Sequence, residues 1–256
     1  MPQQRSMRDI VELVLPQRCA GCGVSGAGVC PACRTLLRTV HPRPTRPDPC
    51  PSGMPPTWAA SAYSGSLRTA IIAWKDQDRA DLSRWFVPMV ARALVEALVD
   101  SPQWTERFRQ AGVAIVVPVP SRASGTRTRG RFPVAELVTG LLDPRRTSTC
   151  GLLGMHALSY GRAVRDQSGL DHLGRANNVA GSMRVAAPSR ASLAGTPIVL
   201  IDDIVTTGST IAEATRALRA VGAGPVLAVC LAATQRQAQL LPDRDPHGAP
   251  SRAGAD

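Results

Sequence analysis

Lysine is almost absent from this sequence: Lys75 stands alone among thirty basic residues, and arginine carries the net charge of +11. No lysine follows a glycine at the spacing of a nucleoside-triphosphate P-loop, which excludes that motif. Aromatic residues are scarce too, nine in 256, with none clustered among the arginines of 122–131. Proteins that hold single strands stack bases on aromatic rings, so composition gives such a surface little support. The basic balance favours phosphate-bearing partners, small or polymeric; a solvated arginine-rich surface is the alternative.

Long apolar runs are missing as well. The longest charge-free apolar stretch, from Ala220 to Thr234, is interrupted by Gly222, Gly224 and Pro225 and is too short to span a bilayer. The opening residues carry acids and only a brief apolar run before Pro16, unlike a secretory leader. The expected address is therefore the cytoplasm, with no membrane span.

What is present begins with cysteine. Four of the seven cysteines lie in "CAGCGVSGAGVCPAC", two Cys-x2-Cys pairs separated by seven residues. Cys19, Cys22, Cys30 and Cys33 can surround a tetrahedral Zn2+ with no position left open, a structural site. Two disulfides are the alternative, which a reducing cytosol disfavours. So small a ribbon cannot bury enough apolar surface to fold alone, and metal binding would supply its folding free energy. Cys50, Cys150 and Cys230 lack such partners and are assigned no chemistry; Cys230, inside "VLAVCLAA", reads as a buried inert thiol.

The chain divides by composition. Residues 1–40 read as a helix plus the four-cysteine ribbon. Residues 41–56, crowded with proline, read as a linker rather than a packed element. Residues 57–236 read as one larger domain, and 237–256 as a disordered tail. Within the domain "TWAASAY", "GVAIVVPVP", "TPIVLID" and "PVLAVCLAAT" read as strands. Helices are expected over "SLRTAIIAWK", "LSRWFVPMVARALVEALV", from Pro133 to Leu142, and over "STIAEATRALRAVGA", where Ile211, Ala214, Leu218 and Val221 share a face. Apolar strands alternating with helices predict an α/β fold, a parallel sheet flanked by helices, with ligands beyond the strands' carboxyl ends.

The stretch "VLIDDIVTTGST" stands at one such end. Asp202 and Asp203 follow an apolar strand, and Thr206, Thr207, Gly208, Ser209 and Thr210 wrap the start of the next helix. Unpaired N–H groups and the helix dipole there favour an anion, and Gly208 allows close approach. Two carboxylates beside a monophosphate can accept hydrogen bonds from vicinal sugar hydroxyls or help hold a divalent ion. A phosphorylated ribose satisfies both halves. One aspartate with one threonine would mean no more than a helix cap, but the whole run argues against that reading.

This stretch resembles the phosphoribosyl-diphosphate (PRPP) loop of type I phosphoribosyltransferases. Together with the four cysteines, "VPVPSRASGTRTRGRF" and "RDQSGLDHLGRANN", in this order, it resembles the ComF family of competence-associated phosphoribosyltransferase-like proteins. The resemblance implies a type I phosphoribosyltransferase fold with an N-terminal zinc ribbon, PRPP taken with Mg2+, and a part in DNA uptake. It gives Asp202 and Asp203 the ribose hydroxyls and the 206–210 loop the 5′-phosphate. Arg127, Arg129 and Gly130 match one family segment; Arg165, Gln167, Arg175 and Asn177 match another. These arginines are candidates for contact with a pyrophosphate or with nucleic acid, and a plain surface role is the alternative. Arg131, Phe132 and Pro133 stand where the family has Phe-Asn-Gln, so two polar side chains are absent. Thr206 stands where hypoxanthine-type purine enzymes carry an acid, so the motif identifies no general base. Lys75 also matches a family position, against which stands a solvent-exposed helix end. Two functions follow: a phosphoribosyltransferase with an unidentified acceptor, or a non-catalytic competence accessory protein that binds single-stranded DNA or the uptake machinery.

Overall fold

The computed structural model describes residues 17–121, 130–145, 151–161, 181–234 and 238–240. Helix α1 (Pro31–Arg38) follows the cysteine pairs, and strands β1 (Arg43–Pro47) and β2 (Thr57–Ala62) lead to α2 (Gly65–Asp76). Then come α3 (Ser83–Val99), α4 (Pro102–Ala111), β3 (Ala114–Pro118), α5 (Pro133–Leu141), β4 (Leu152–Gly154), β5 (Leu158–Tyr160) and β6 (Met183–Val185). The chain continues through β7 (Ile198–Val205), α6 (Ser209–Arg219), β8 (Val226–Ala233) and β9 (Ala238–Leu240).

Seven strands form one sheet in the order β4-β3-β7-β8-β2-β1-β9, and β5 and β6 form a separate antiparallel pair. The five strands from β4 to β2 are mutually parallel. Strands β3 and β8 are buried along their whole length, as a sheet covered on both faces requires. One face packs on Ile71 and Trp74 of α2, Phe86, Val90 and Leu94 of α3, and Leu137 of α5; the cysteine module joins this cluster through Cys33 and Leu37. The other face packs on Ile211, Ala214 and Leu218 of α6 and on Leu158, Met183 and Val185 of the β5–β6 pair. Val221, past the helix end, packs at the margin of that second cluster.

Two expectations need correction. The proline-rich stretch contains β1, which pairs antiparallel with β2 through Arg43 and Pro44 and with β9 through Thr45, Arg46 and Pro47. Thr45 and Pro47 are buried while Arg46 is exposed, an in-out alternation that proline's fixed φ tolerates. Likewise Ala238–Leu240, placed in the expected tail, is a strand; residues 241–256 lie outside the described residues, as do residues 1–16. Helix α4 and the short strands β4, β5 and β6 add elements that the pattern reading lacked. Among the described residues, no helix is long and apolar enough to cross a membrane.

Candidate functional site

Strand β7 does not stop before the aspartates but runs through them to Val205. Up to that point its side chains alternate: Ile198 and Leu200 face the α6 cluster, Val199 and Ile201 the α2 cluster. Beyond the pair the order reverses, with Ile204 on the α2 side and Val205 on the α6 side. Each carboxylate also accepts the next residue's N–H, Asp202 Oδ1 from Asp203 at 2.8 Å and Asp203 Oδ1 from Ile204 at 2.7 Å. The aspartates thus occupy a local break in a strand that otherwise continues regularly beside β8.

Their environments differ. Asp202 is 8% exposed and lies opposite Cys230 on β8. Burial, reinforced by the neighbouring charge of Asp203, pushes its carboxyl up to about 8; the Asp203 N–H and the Lys75 ammonium only partly offset this. Asp203 is half-buried, and its Oδ2 stands 2.7 Å from Lys75 Nζ. Burial disfavours the Lys75 ammonium, but the charge and hydrogen bond of Asp203, with smaller help from Asp202 and Asp76, outweigh it and raise the amine. The lone lysine therefore ends not in solvent but on the aspartate pair. Cys230 is fully buried, and burial followed by the two carboxylates pushes its thiol well above the usual range, in keeping with an inert group.

The 206–210 loop turns directly into α6. Gly208 adopts φ 72° at the helix's N-cap and its carbonyl accepts the Ala212 N–H at 2.9 Å. No side chain caps α6, so N–H groups of its first turn are available to an anion. The hydroxyls of Thr207 and Ser209 are 3.0 Å apart and the Ser209 N–H reaches Thr207 Oγ1 at 3.4 Å; Thr206 is exposed. This is a neutral cradle of hydroxyl and amide donors.

Helix α2 carries Lys75 in its last turn, and that end is held from two sides. Arg131 donates to the Trp74 carbonyl at 3.3 Å and pairs with Glu136 and Asp78, while Trp74 Nε1 donates to Ser83 Oγ at 2.9 Å. Just past the helix, Arg79 donates to the carbonyls of Gly28 at 3.1 Å and Arg18 at 3.4 Å in the cysteine module. Arg131 is one of the residues that depart from the family pattern, and here it positions a helix. Phe132 beside it is 56% exposed.

In the cysteine module the Sγ atoms of Cys19, Cys22, Cys30 and Cys33 all lie within 4.8 Å of one another. Four thiolates around Zn2+ at ~2.3 Å would stand about 3.8 Å apart, so the cluster fits the ion. The Cys30 N–H donates to Cys19 Sγ at 3.3 Å, and a Cβ on Gly21 would stand 2.7 Å from Cys33 Sγ. Burial raises the Cys19 thiol, but the N–H groups of Cys30, Cys22 and Gly21 together bring it down to about 6, whereas burial pushes the Cys33 thiol up to about 12.

Arg127, Arg129, Arg165 and Arg175, with Gln167, Asn177 and Cys150, lie outside the described residues. Gly130 is described and has φ 61°. A cavity of about 110 Å³ lies beyond the carboxyl end of β3, lined by Pro118, Pro120, Ser121, Phe132 and His156. A larger one, about 690 Å³, is lined by Trp58, Trp104, Thr45 and Arg219 and touches neither the aspartates nor the loop, so size does not mark the site.

Comparison with known proteins agrees with this geometry. No curated protein matches the chain. Residues 157–248, just over a third of the chain, match the family model described as a phosphoribosyl transferase domain. The matched stretch contains β7, both aspartates and the whole 206–210 loop. The chain therefore carries a phosphoribosyltransferase domain on a mostly parallel α/β sheet, preceded by a cysteine cluster able to hold zinc.

Proposed function

We propose that this site binds PRPP and transfers its phosphoribosyl group to a nitrogen acceptor, in a protein of the ComF kind. One observation carries the reading: two carboxylates with unlike environments stand beside a neutral, uncapped helix start inside the matched domain. The loop receives the 5′-phosphate through N–H and hydroxyl donors, and Asp202 and Asp203 accept the ribose hydroxyls. Asp202 and Asp203 would also help to hold Mg2+, which when bound would supply charge neutralisation for the leaving diphosphate.

In transfer the bond from ribose C1 to the diphosphate oxygen breaks, the diphosphate departs with the electron pair, and the acceptor nitrogen forms the new bond to C1. Positive charge develops on the ribosyl ring between these events, and the adjoining carboxylate of Asp203 stabilises it. Fixing both ends of the ribose supplies orientation. Thr206 contributes no carboxylate, so the acceptor must bring a nitrogen that is already nucleophilic or lose its proton elsewhere. Calorimetry with PRPP and Mg2+ tests the reading, expecting binding by the wild type and loss in Asp202→Asn/Asp203→Asn. Wild type that fails to bind sinks it, and diphosphate release against a panel of nucleobases and amines then tests turnover.

A second reading, a cytoplasmic accessory protein of DNA uptake that holds a single strand, has one observation in its favour. Arg34, Arg38 and Arg84 place their guanidinium groups 5.6 to 5.8 Å from the Trp85 ring. That patch joins an aromatic face to phosphate-binding charge. Titration of a labelled single strand at several salt concentrations decides it: affinity must fall steeply with salt and weaken further in Trp85→Ala.

A further inference from the structure

Among the described residues, the proposed grip has an electrostatic gap. Its 5′-phosphate end is served by neutral donors, and its ribose end by carboxylates. PRPP also carries a highly charged diphosphate on C1, beside the hydroxyl-bearing C2. Among the described residues, Lys75 is the cation whose charged atom reaches the aspartate pair, at 2.7 Å from Asp203 Oδ2. An ammonium has three donors, and the Asp203 bond uses one.

We infer that Lys75 is a substrate-binding residue of this site, its ammonium bridging Asp203 and the diphosphate of PRPP. The inference rests on the PRPP reading and deepens it: Lys75 makes the site select a C1-diphosphorylated ribose over ribose 5-phosphate, which shares the other two contacts but has only a hydroxyl at C1.

Placement supports a working position rather than a surface contact. The side chain is 27% exposed and its partner 15%, so the pair is partly withdrawn from water yet open at the strand end. The helix end that carries it is fixed through the Trp74 carbonyl by Arg131 and through Trp74 Nε1 by Ser83. At its other end α2 abuts the cysteine module, where a Cβ on Gly21 would meet Ser66 Cβ at 3.1 Å. A lysine held this firmly loses little further freedom when a phosphate oxygen arrives, and a charge-assisted bond to that oxygen outweighs a neutral one.

The test compares PRPP with ribose 5-phosphate by calorimetry, both with Mg2+, on wild type, Lys75→Met and Lys75→Arg. The inference expects Lys75→Met to lose about tenfold or more in PRPP affinity, to leave ribose 5-phosphate affinity within about threefold, and Lys75→Arg to recover much of the loss. Equal loss for both ligands would mean that Lys75 only props Asp203, and no loss for either would mean that it stays with Asp203 alone; each outcome overturns the inference. If wild type binds neither ligand, the PRPP reading itself falls, a result distinct from both. Should Lys75→Met not fold, wild type still decides, because 15N-lysine labelling gives one side-chain ammonium resonance in this single-lysine chain and leaves its three donors intact. PRPP must shift that ammonium resonance well beyond the shift from ribose 5-phosphate; equal shifts overturn the proposal.

Discussion

A Cβ placed on Gly208 would stand 2.6 Å from Met54 Sδ and 3.0 Å from Pro47 Cγ. The glycine that starts α6 is thus constrained twice, by its own φ of 72° and by the proline-rich segment packed on it. Gly208→Ala should cost roughly 1–2 kcal/mol from backbone conformation alone, lower the Tm, and weaken PRPP binding by displacing the loop. Adding Met54→Ala removes the closer steric contact and leaves the tight approach to Pro47 and the cost of φ in place. Thermal unfolding of the single and double variants separates the two: full recovery in the double variant would show that φ imposes no cost.

Asp202 makes stability depend on pH in an unusual direction for a carboxylate. Its folded value, about 8, exceeds its model-peptide value of 3.8, mainly through burial. Between these values the folded state holds a proton that the unfolded state has released, so stability falls as pH rises from about 4 to about 8. Asp202→Asn, which cannot ionise, should flatten that slope and raise the Tm at pH 8 by ~3 °C or more while changing it little at pH 4. Parallel pH profiles for the two proteins would refute the assignment. Such a gain in stability at the expense of binding is what a site strained for function predicts.

The core was legible in the sequence because its signals are local. Uninterrupted apolar runs such as "PIVLI" and "VLAVCLAA" mark strands buried on both faces, and Ile211, Ala214 and Leu218 recur at helical spacing. The cysteine pairs and "VLIDDIVTTGST" are local as well. What stayed hidden depends on distant partners or on weak patterns. Nothing near Lys75 indicates Asp203, and nothing near Arg131 indicates the Trp74 carbonyl. Helix α4 buries only Trp104, whose Nε1 donates to Ile198 and Pro225 carbonyls, so its sequence shows no apolar stripe. The three-residue strands β5 and β6 are shorter than any alternation can reveal.

The cysteine module should matter beyond its own fold, because it grips α2 through Ser66 at one end and Arg79 at the other. Metal removal by a strong chelator, or Cys30→Ser, should release zinc, lower the Tm and reduce PRPP affinity through loss of Lys75's placement. Metal analysis alongside calorimetry checks this. Zinc loss with unchanged PRPP affinity would restrict the module to local stability and show that Arg131 and Ser83 suffice to hold the helix end.

Glu213 offers the sharpest separation of charge from hydrogen bonding. It is buried on α6, its Oε1 accepts the Met183 N–H at 2.8 Å, and its Oε2 stands 2.8 Å from Arg216 Nε, so one side chain ties the β5–β6 pair to the helix that begins at the 206–210 loop. Burial raises its carboxyl, but Arg216 and the N–H groups of Met183 and Gly181 outweigh burial and hold it below the usual range. The folded value lies below the unfolded one, so the stability it contributes is present above about pH 4.5 and is lost as pH falls through the folded value. Glu213→Gln keeps an acceptor for Met183 and loses only the charge, whereas Glu213→Ala leaves that buried N–H without a partner, at about 1–3 kcal/mol. Urea unfolding at pH 7 should therefore rank wild type above Gln and Gln above Ala, and the gap between wild type and Gln should narrow as pH falls below about 4.5. A gap that stays constant with pH would assign the residue's contribution to hydrogen bonding alone, and the Arg216 pair would then add nothing to the fold.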